Sequence, residues 1–231
     1  MTCPHCVGAE ELFGARQART DLKHYRAKGP LKTAQMLIDA LRALGVEDKR
    51  LLDIGGGVGV LQHELLKAGM AGAVSVDGSS AYIEAARDES ARQGFDGCVT
   101  YRHGDFLDVA QTLEQADVVT LDRVLCCYPD VDAFVARSTD LSGELYGVVY
   151  PRKTLGARVA IRLANLFLKV KRNPFRAFVH DPRHVDEMVR EAGFEGRYHA
   201  TTLVCTWSST SGFARYEWPR RRRQSLRRRK R

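Results

Sequence analysis

Leu51-Leu-Asp-Ile-Gly-Gly-Gly-Val-Gly59 decides how this chain is read. A short strand candidate runs into Gly55, Gly56, Gly57 and Gly59, and a helical stretch follows. Such a turn needs residues without Cβ, so that the backbone bends sharply and a ligand can approach it. The helix beyond it offers unpaired N–H groups to a polar ligand. A dinucleotide fingerprint beginning at Gly55 and Gly57 demands Gly or Ala at position 60, and that residue is Val60. No Lys-Ser/Thr pair follows to make a phosphate loop. The spacing is Asp53-x-Gly55-x-Gly57-x-Gly59.

Outward from this loop the pattern alternates. Strand candidates at 51–54, 73–77, 98–102, 116–122 and 145–150 are separated by helical stretches at 59–68, 79–93 and 130–139. Short connections between alternating strands and helices predict a parallel sheet covered on both faces. Two further helices are expected at 15–27 and 32–44, broken at Gly29-Pro30. Leu37, Leu41 and Leu44 give the second a helical stripe, and Gly45 stops it. Residues 1–14 read as an irregular arm. A helical stretch at 154–172 is followed by a helix near 182–192 and strands at 196–208 and 213–218. The expected architecture is α/β: a doubly wound, seven-stranded, mostly parallel sheet with an N-terminal helical cap. Residues 1–45 form the arm and cap, 46–218 the main domain with a basic lid insertion at 152–178, and 219–231 a disordered basic tail.

Composition bounds the function classes. The chain has 231 residues, 44% of them hydrophobic, enough for one core. No apolar run approaches the ~18–20 residues of a membrane span. Met1-Thr-Cys-Pro-His-Cys6 lacks the order of a signal peptide, so the expected location is the cytoplasm. The net charge of +8 is unevenly spread. Residues 220–231 carry nine basic residues and 145–180 carry eight, both without an acid. The rest of the chain holds 19 basic against 28 acidic residues.

Three further features stand in order after the loop. Asp77 closes the second strand in Val74-Ser-Val-Asp77-Gly78, where a carboxylate can accept ribose hydroxyls. Gly104-Asp105-Phe106 follows the third strand. The fourth ends in Leu121-Asp-Arg-Val-Leu-Cys-Cys-Tyr-Pro129. This set resembles the class I S-adenosylmethionine-dependent methyltransferases over residues 51–127. The resemblance implies a Rossmann-like fold and S-adenosyl-L-methionine as cofactor. It implies a loop of Asp53, Gly55, Gly57 and Gly59 around the methionine part, with Asp77 and Gly78 at the ribose. Asp105 then accepts from the adenine amine and Phe106 packs on the ring. For Asp105 the alternative is a helix N-cap. Ligands lie outside the carboxyl ends of strands in such sheets. That makes Asp122, Arg123, Cys126, Cys127 and Tyr128 the substrate-facing set, with Asp122 and Arg123 also counted among the cofactor-binding residues that the resemblance implies.

Leu121–Pro129, Tyr150-Pro-Arg152, the basic helix and Phe178-Val-His180 resemble magnesium-protoporphyrin O-methyltransferases and their bacterial relatives, over residues 20–205. That family carries a His before Tyr-Pro at the fourth strand's end; here the position is Cys127. The Asn/Asp-Pro-Pro-Tyr motif of amino-group DNA methyltransferases is absent. Methyl transfer from a sulfonium needs alignment more than acid–base work. A carboxylate acceptor needs no base, whereas a phenol, with its unperturbed pKa of ~10, does. The candidate catalytic groups are Tyr25, Tyr128 and His180, with His24 and His63 as further bases.

In 154–172, Leu155, Val159, Leu163, Leu166 and Val170 form one stripe, flanked by Arg158, Arg162 and Lys169. Three readings stay open: a lid over an anionic, apolar substrate, a helix on a membrane surface, or a solvated helix. Cys3-Pro-His-Cys6 is half a zinc knuckle, and structural zinc takes four ligands. The remaining ligands would have to come from Cys126, Cys127, Cys205 or a His, and no metal is expected. Methyl transfer to an oxygen of a small anionic or aromatic molecule is the expected function. An RNA methyltransferase using the basic segments, or a non-catalytic binding module on the same fold, are the alternatives.

Overall fold

The computed structural model describes residues 4–151, 155–201, 205–206, 210–211 and 213–219. The chain opens with helix α1 (Pro4–Leu12), where an irregular arm was expected, then α2 (Ala15–Lys28) and α3 (Lys32–Leu44). The parallel sheet follows as β1 (Arg50–Ile54), β2 (Gly72–Asp77), β3 (Val99–His103), β4 (Ala116–Asp122) and β5 (Ser142–Pro151). Between them run α4 (Val60–Lys67), α5 (Ser80–Arg92), the single-turn α6 (Phe106–Val109) and α7 (Val131–Asp140). Beyond β5 come α8 (Leu155–Val170), α9 (Pro182–Glu191), β6 (Tyr198–Thr201), the two-residue β7 (Cys205–Thr206) and β8 (Thr210–Ser211), and β9 (Phe213–Pro219). No helix of the described residues is long and apolar enough to cross a membrane. The expected disordered tail lies outside the described residues, apart from Pro219.

The sheet has seven strands, in the order β3-β2-β1-β4-β5-β9-β6, of which the first five are parallel. Past β5 the direction reverses: β9 pairs antiparallel to β5, and β6 antiparallel to β9. Buried apolar strands make the sheet a two-sided core. On one side Phe134 and Val135 of α7 and Val185 and Val189 of α9 pack against Leu52, Val119 and Val148. On the other, Leu37, Ile38 and Leu41 of α3 and Leu61 and Leu65 of α4 cover Leu51, Val118 and Val149. The chain winds from β1 to β3 in one direction, then from β4 to β5 in the other. The β1–β4 boundary is therefore the switch point where such sheets open a crevice.

Local chemistry sets the helix ends that frame this crevice. The Ser79 hydroxyl caps α5 by accepting the Tyr82 N–H at 3.2 Å. Asp105 caps α6 through the Leu107 N–H at 2.9 Å, and Asp181 caps α9 ahead of Pro182.

Candidate active site

The glycine loop leaves β1 at the carboxyl edge of the sheet. Gly57 has φ +54°, and a Cβ there would point into open space. Gly78, across from it, is equally open. Between them the half-buried Asp77 accepts the Gly57 N–H at 2.9 Å on Oδ2 and the Ser79 N–H at 2.8 Å on Oδ1. Burial pushes the Asp77 carboxyl up to about 6. Two bare glycine positions beside a strand-end carboxylate form a cradle that side chains would fill, and it suits a ribose with its attached chain.

Asp53 plays a different part from the one expected. It is 1% exposed, under the loop rather than in the cleft. Thr120 Oγ1 donates to its Oδ1 at 2.7 Å, and Gln62 Nε2 to its Oδ2 at 3.0 Å. A Cβ on Gly56 would stand 2.3 Å from Gln62 Nε2 and 2.9 Å from Asp53 Oδ2, so this network is moulded against the loop's backbone. Burial raises the Asp53 carboxyl to about 7. Asp53 supports the turn from behind. Gly55 has φ +72° and abuts Val124, while Gly59, at φ +82°, starts α4.

At the Asp105 corner the N-cap alternative is realised, and Phe106 lies elsewhere than expected. Asp105 is an N-cap, and its Oδ1 also accepts the Tyr128 hydroxyl at 2.8 Å. Tyr128 in turn accepts the Phe106 N–H at 2.9 Å. The phenol is locked between Asp105 and the backbone, and burial with the nearby Asp105 charge raises its pKa. Tyr128 is a brace for the corner, not a catalytic phenol. Phe106, 2% exposed, packs against Phe134 in the core at 4.8 Å between ring centroids, and so offers no face to an adenine.

Helix α1 covers this corner, a feature that sequence reasoning missed. The Cys6 thiol donates to Asp105 Oδ2 at 3.3 Å. Glu10 takes the Ser80 N–H and the Ser80 hydroxyl, and pairs with His103 at 3.2 Å. The Asn173 amide donates to the Gly8 carbonyl at 3.1 Å and to Glu11 at 3.0 Å, tying α1 to the segment after α8. A Cβ at Gly8 would lie 2.4 Å from the Phe175 nitrogen, so only glycine admits that approach. Gly8, read against Asn173-Pro174, was the available signal. Cys3 lies outside the described residues, and among those described no group of three metal-binding side chains forms.

At the end of β4, Arg123 adopts φ +62°, a conformation costly for a non-glycine residue, and its N–H donates to the Val149 carbonyl at 2.8 Å. Its guanidinium folds back on Asp122 at 3.2 Å, and that charge raises the Arg123 pKa. The Cys126 and Cys127 sulfurs sit 4.0 Å apart. The Cys127 thiol and the Arg123 charge hold the Cys126 thiol down, while Cys127 is pushed up. His180 reaches this strand end from the α8–α9 connection. Its Nε2 lies 3.0 Å from the Leu125 carbonyl and 2.9 Å from that of Tyr128. Two acceptors on one nitrogen place the hydrogen on Nε2 and leave the lone pair on Nδ1. Burial lowers the His180 pKa, so the ring is neutral at pH 7. Leu125, Cys126, Tyr150 and Phe178 wall a small pocket beside it.

The other candidate bases lie elsewhere. Tyr25 is buried on α2, donating to Glu64 at 2.8 Å and stacked on His63, one helix layer away from the crevice. His63 is fully buried against the Ser90 hydroxyl, and burial lowers its pKa to about 4. His24 is half-buried on α2. A wider cleft bounded by Arg50, Thr100 and Glu114 lies at the amino end of the sheet, away from the loop.

No curated protein matches the chain. The magnesium protoporphyrin IX methyltransferase of Synechocystis PCC 6803, solved with S-adenosylhomocysteine, superposes with a TM-score of 0.66 at 19% identity, over 92% of this chain and 98% of that one. A putative RNA methyltransferase from Pyrococcus horikoshii gives 0.59 at 17%, over 85% and 86%. An O-methyltransferase family 2 protein from Planctomyces limnophilus DSM 3776, in complex with apigenin, gives 0.62 at 17%, over 89% and 61%. At these identities the likeness is one of fold. A family model described as a methyltransferase domain matches residues 46–200. The chain belongs to that methyltransferase domain family, with a class I fold whose methyl donor is S-adenosyl-L-methionine.

Proposed function

We propose that this chain transfers a methyl group to an oxygen of a small aromatic or anionic molecule. The observation that carries this is the imidazole of His180, held by its Nε2 on the Leu125 and Tyr128 carbonyls at the end of β4. The bound cofactor supplies an electrophilic methyl group on a sulfonium. Asp77 and the Gly57–Gly78 cradle orient the ribose and methionine parts from the β1–β2 side. Asp105, held by Tyr128, defines the adenine end. Nδ1 of His180 takes the proton from an acceptor hydroxyl, while Nε2–H stays on its two carbonyls. Phe178, stacked near the imidazole at 6.0 Å, and Tyr150 give the acceptor aromatic walls.

The test is transfer of isotope-labelled methyl from S-adenosylmethionine to a panel of phenols and aromatic carboxylates. His180→Gln should lower kcat on a phenol by about 10²-fold or more, with the KM for the cofactor unchanged. Carboxylate acceptors should lose little, because they arrive ionised. Full phenol activity in the variant defeats the assignment of the base. Failure of the wild type to bind the cofactor at millimolar concentration defeats the whole reading.

A further inference from the structure

Helix α8 leaves a long apolar face uncovered. Leu155, Val159, Leu163, Leu166, Phe167 and Val170 are between 46% and 77% exposed. Most of the exposed large apolar side chains among the described residues belong to this one helix. At about 100° per residue they span a continuous arc of ~120°. The helix does have an inner face, and it is a different one: Ala157 and Leu168 are buried. Asn165, on that inner side, fixes it by donating to the Ala177 carbonyl and accepting the Ala177 N–H, both at 2.8 Å. The apolar arc thus points away from the body of the protein. Arg158, Arg162 and Lys169 are exposed in a row of about 40° along its edge. Lys171 and Arg172 are exposed just past its end, with Lys171 over the Phe167 ring at 5.7 Å.

We propose that this face docks α8 onto an anionic lipid surface. An apolar stripe bordered by cations is the arrangement that lies in the headgroup plane of a bilayer. Charge selects this occupant over a second copy of the chain, because pairing two such faces would bring two basic rows together. It also sets the orientation. Outside residues 145–180 and 220–231 the chain has 28 acidic against 19 basic residues, so an anionic surface repels the body and attracts α8. The helix has no acid of its own. The inference is independent of the methyl-transfer reading.

The experiment is flotation of the full chain with phosphatidylcholine vesicles, plain or containing an equimolar share of phosphatidylglycerol. The wild type should float only with the anionic vesicles. Leu163→Asn combined with Leu166→Asn should lower the partition about tenfold or more, with an unchanged melting curve because both positions are exposed. Phe167→Trp should give an emission maximum that shifts to the blue on adding anionic vesicles. Wild-type partition in the double variant, with no blue shift, overturns the proposal and assigns any attachment to the terminal Arg run alone. A dimeric wild type that the double variant converts to a monomer, seen by light scattering, overturns it in favour of a second copy.

Discussion

The Tyr128 hydroxyl accepts the Phe106 N–H and donates to Asp105, so a phenylalanine in its place leaves a backbone donor and a carboxylate oxygen each short of a partner. Tyr128→Phe should cost about 1–2 kcal/mol of stability in urea titration. It should also weaken cofactor binding, because the corner loses its brace. Asp53 and Asp77 give the opposite kind of residue effect. Their folded pKa values, about 7 and about 6, lie above the usual carboxylate value, because burial disfavours the charge. Between pH 4 and 7 these two carboxyls therefore hold more protons in the folded chain than in the unfolded one, and their contribution to stability falls as pH rises, while His63, lowered to about 4, contributes in the opposite sense. Asp53→Asn should flatten this fall in thermal melts taken across that window. The Gln62 amide can turn to meet the new side chain, since its Oε1 is a buried acceptor without a partner among the described residues.

Among the elements, the glycine loop separates support from contact. Gly56→Ala drives a methyl into Gln62 and Asp53, and should cost about 2–3 kcal/mol of stability. Gly57→Ala meets nothing within 4 Å, so it should cost only about 1 kcal/mol for its φ of +54°. It should nevertheless weaken S-adenosylmethionine binding tenfold or more in calorimetry, because the methyl fills the cradle. These elements were legible from sequence because strand and helix periods alternate so cleanly there: β4 and α3 fall on the predicted residues. Helix α1 was not legible. Its anchors are polar contacts of Cys6 and Glu10 to residues far along the chain, and Gly8 reads locally as a breaker rather than as a point of close approach. Tyr128 and Phe106 were placed at the correct strand ends but given the wrong duties. Spacing locates a residue on an edge, whereas the direction of its side chain depends on turns such as the one at Leu125–Cys127. Tyr25 failed for a related reason: the sequence placed it on an N-terminal helix without saying which layer that helix would cover.

For the molecule as a whole, cofactor binding should appear as stability. Saturation at a hundredfold excess over Kd adds about 2.7 kcal/mol. For a chain of 231 residues that is a rise in Tm of about 5–10 °C by calorimetry. Helix α1 bears on a different property of the same complex. It holds Asp105 through Cys6, Ser80 and His103 through Glu10, and the segment after α8 through Gly8 and Glu11. On the proposed placement of the cofactor these contacts lie over its adenosine end, so release from beneath them would require that they open together. Residence time is then governed by the lifting of one helix rather than by the strength of the grip below it. Weakening the strap should speed arrival and departure alike while leaving the equilibrium between them nearly unmoved.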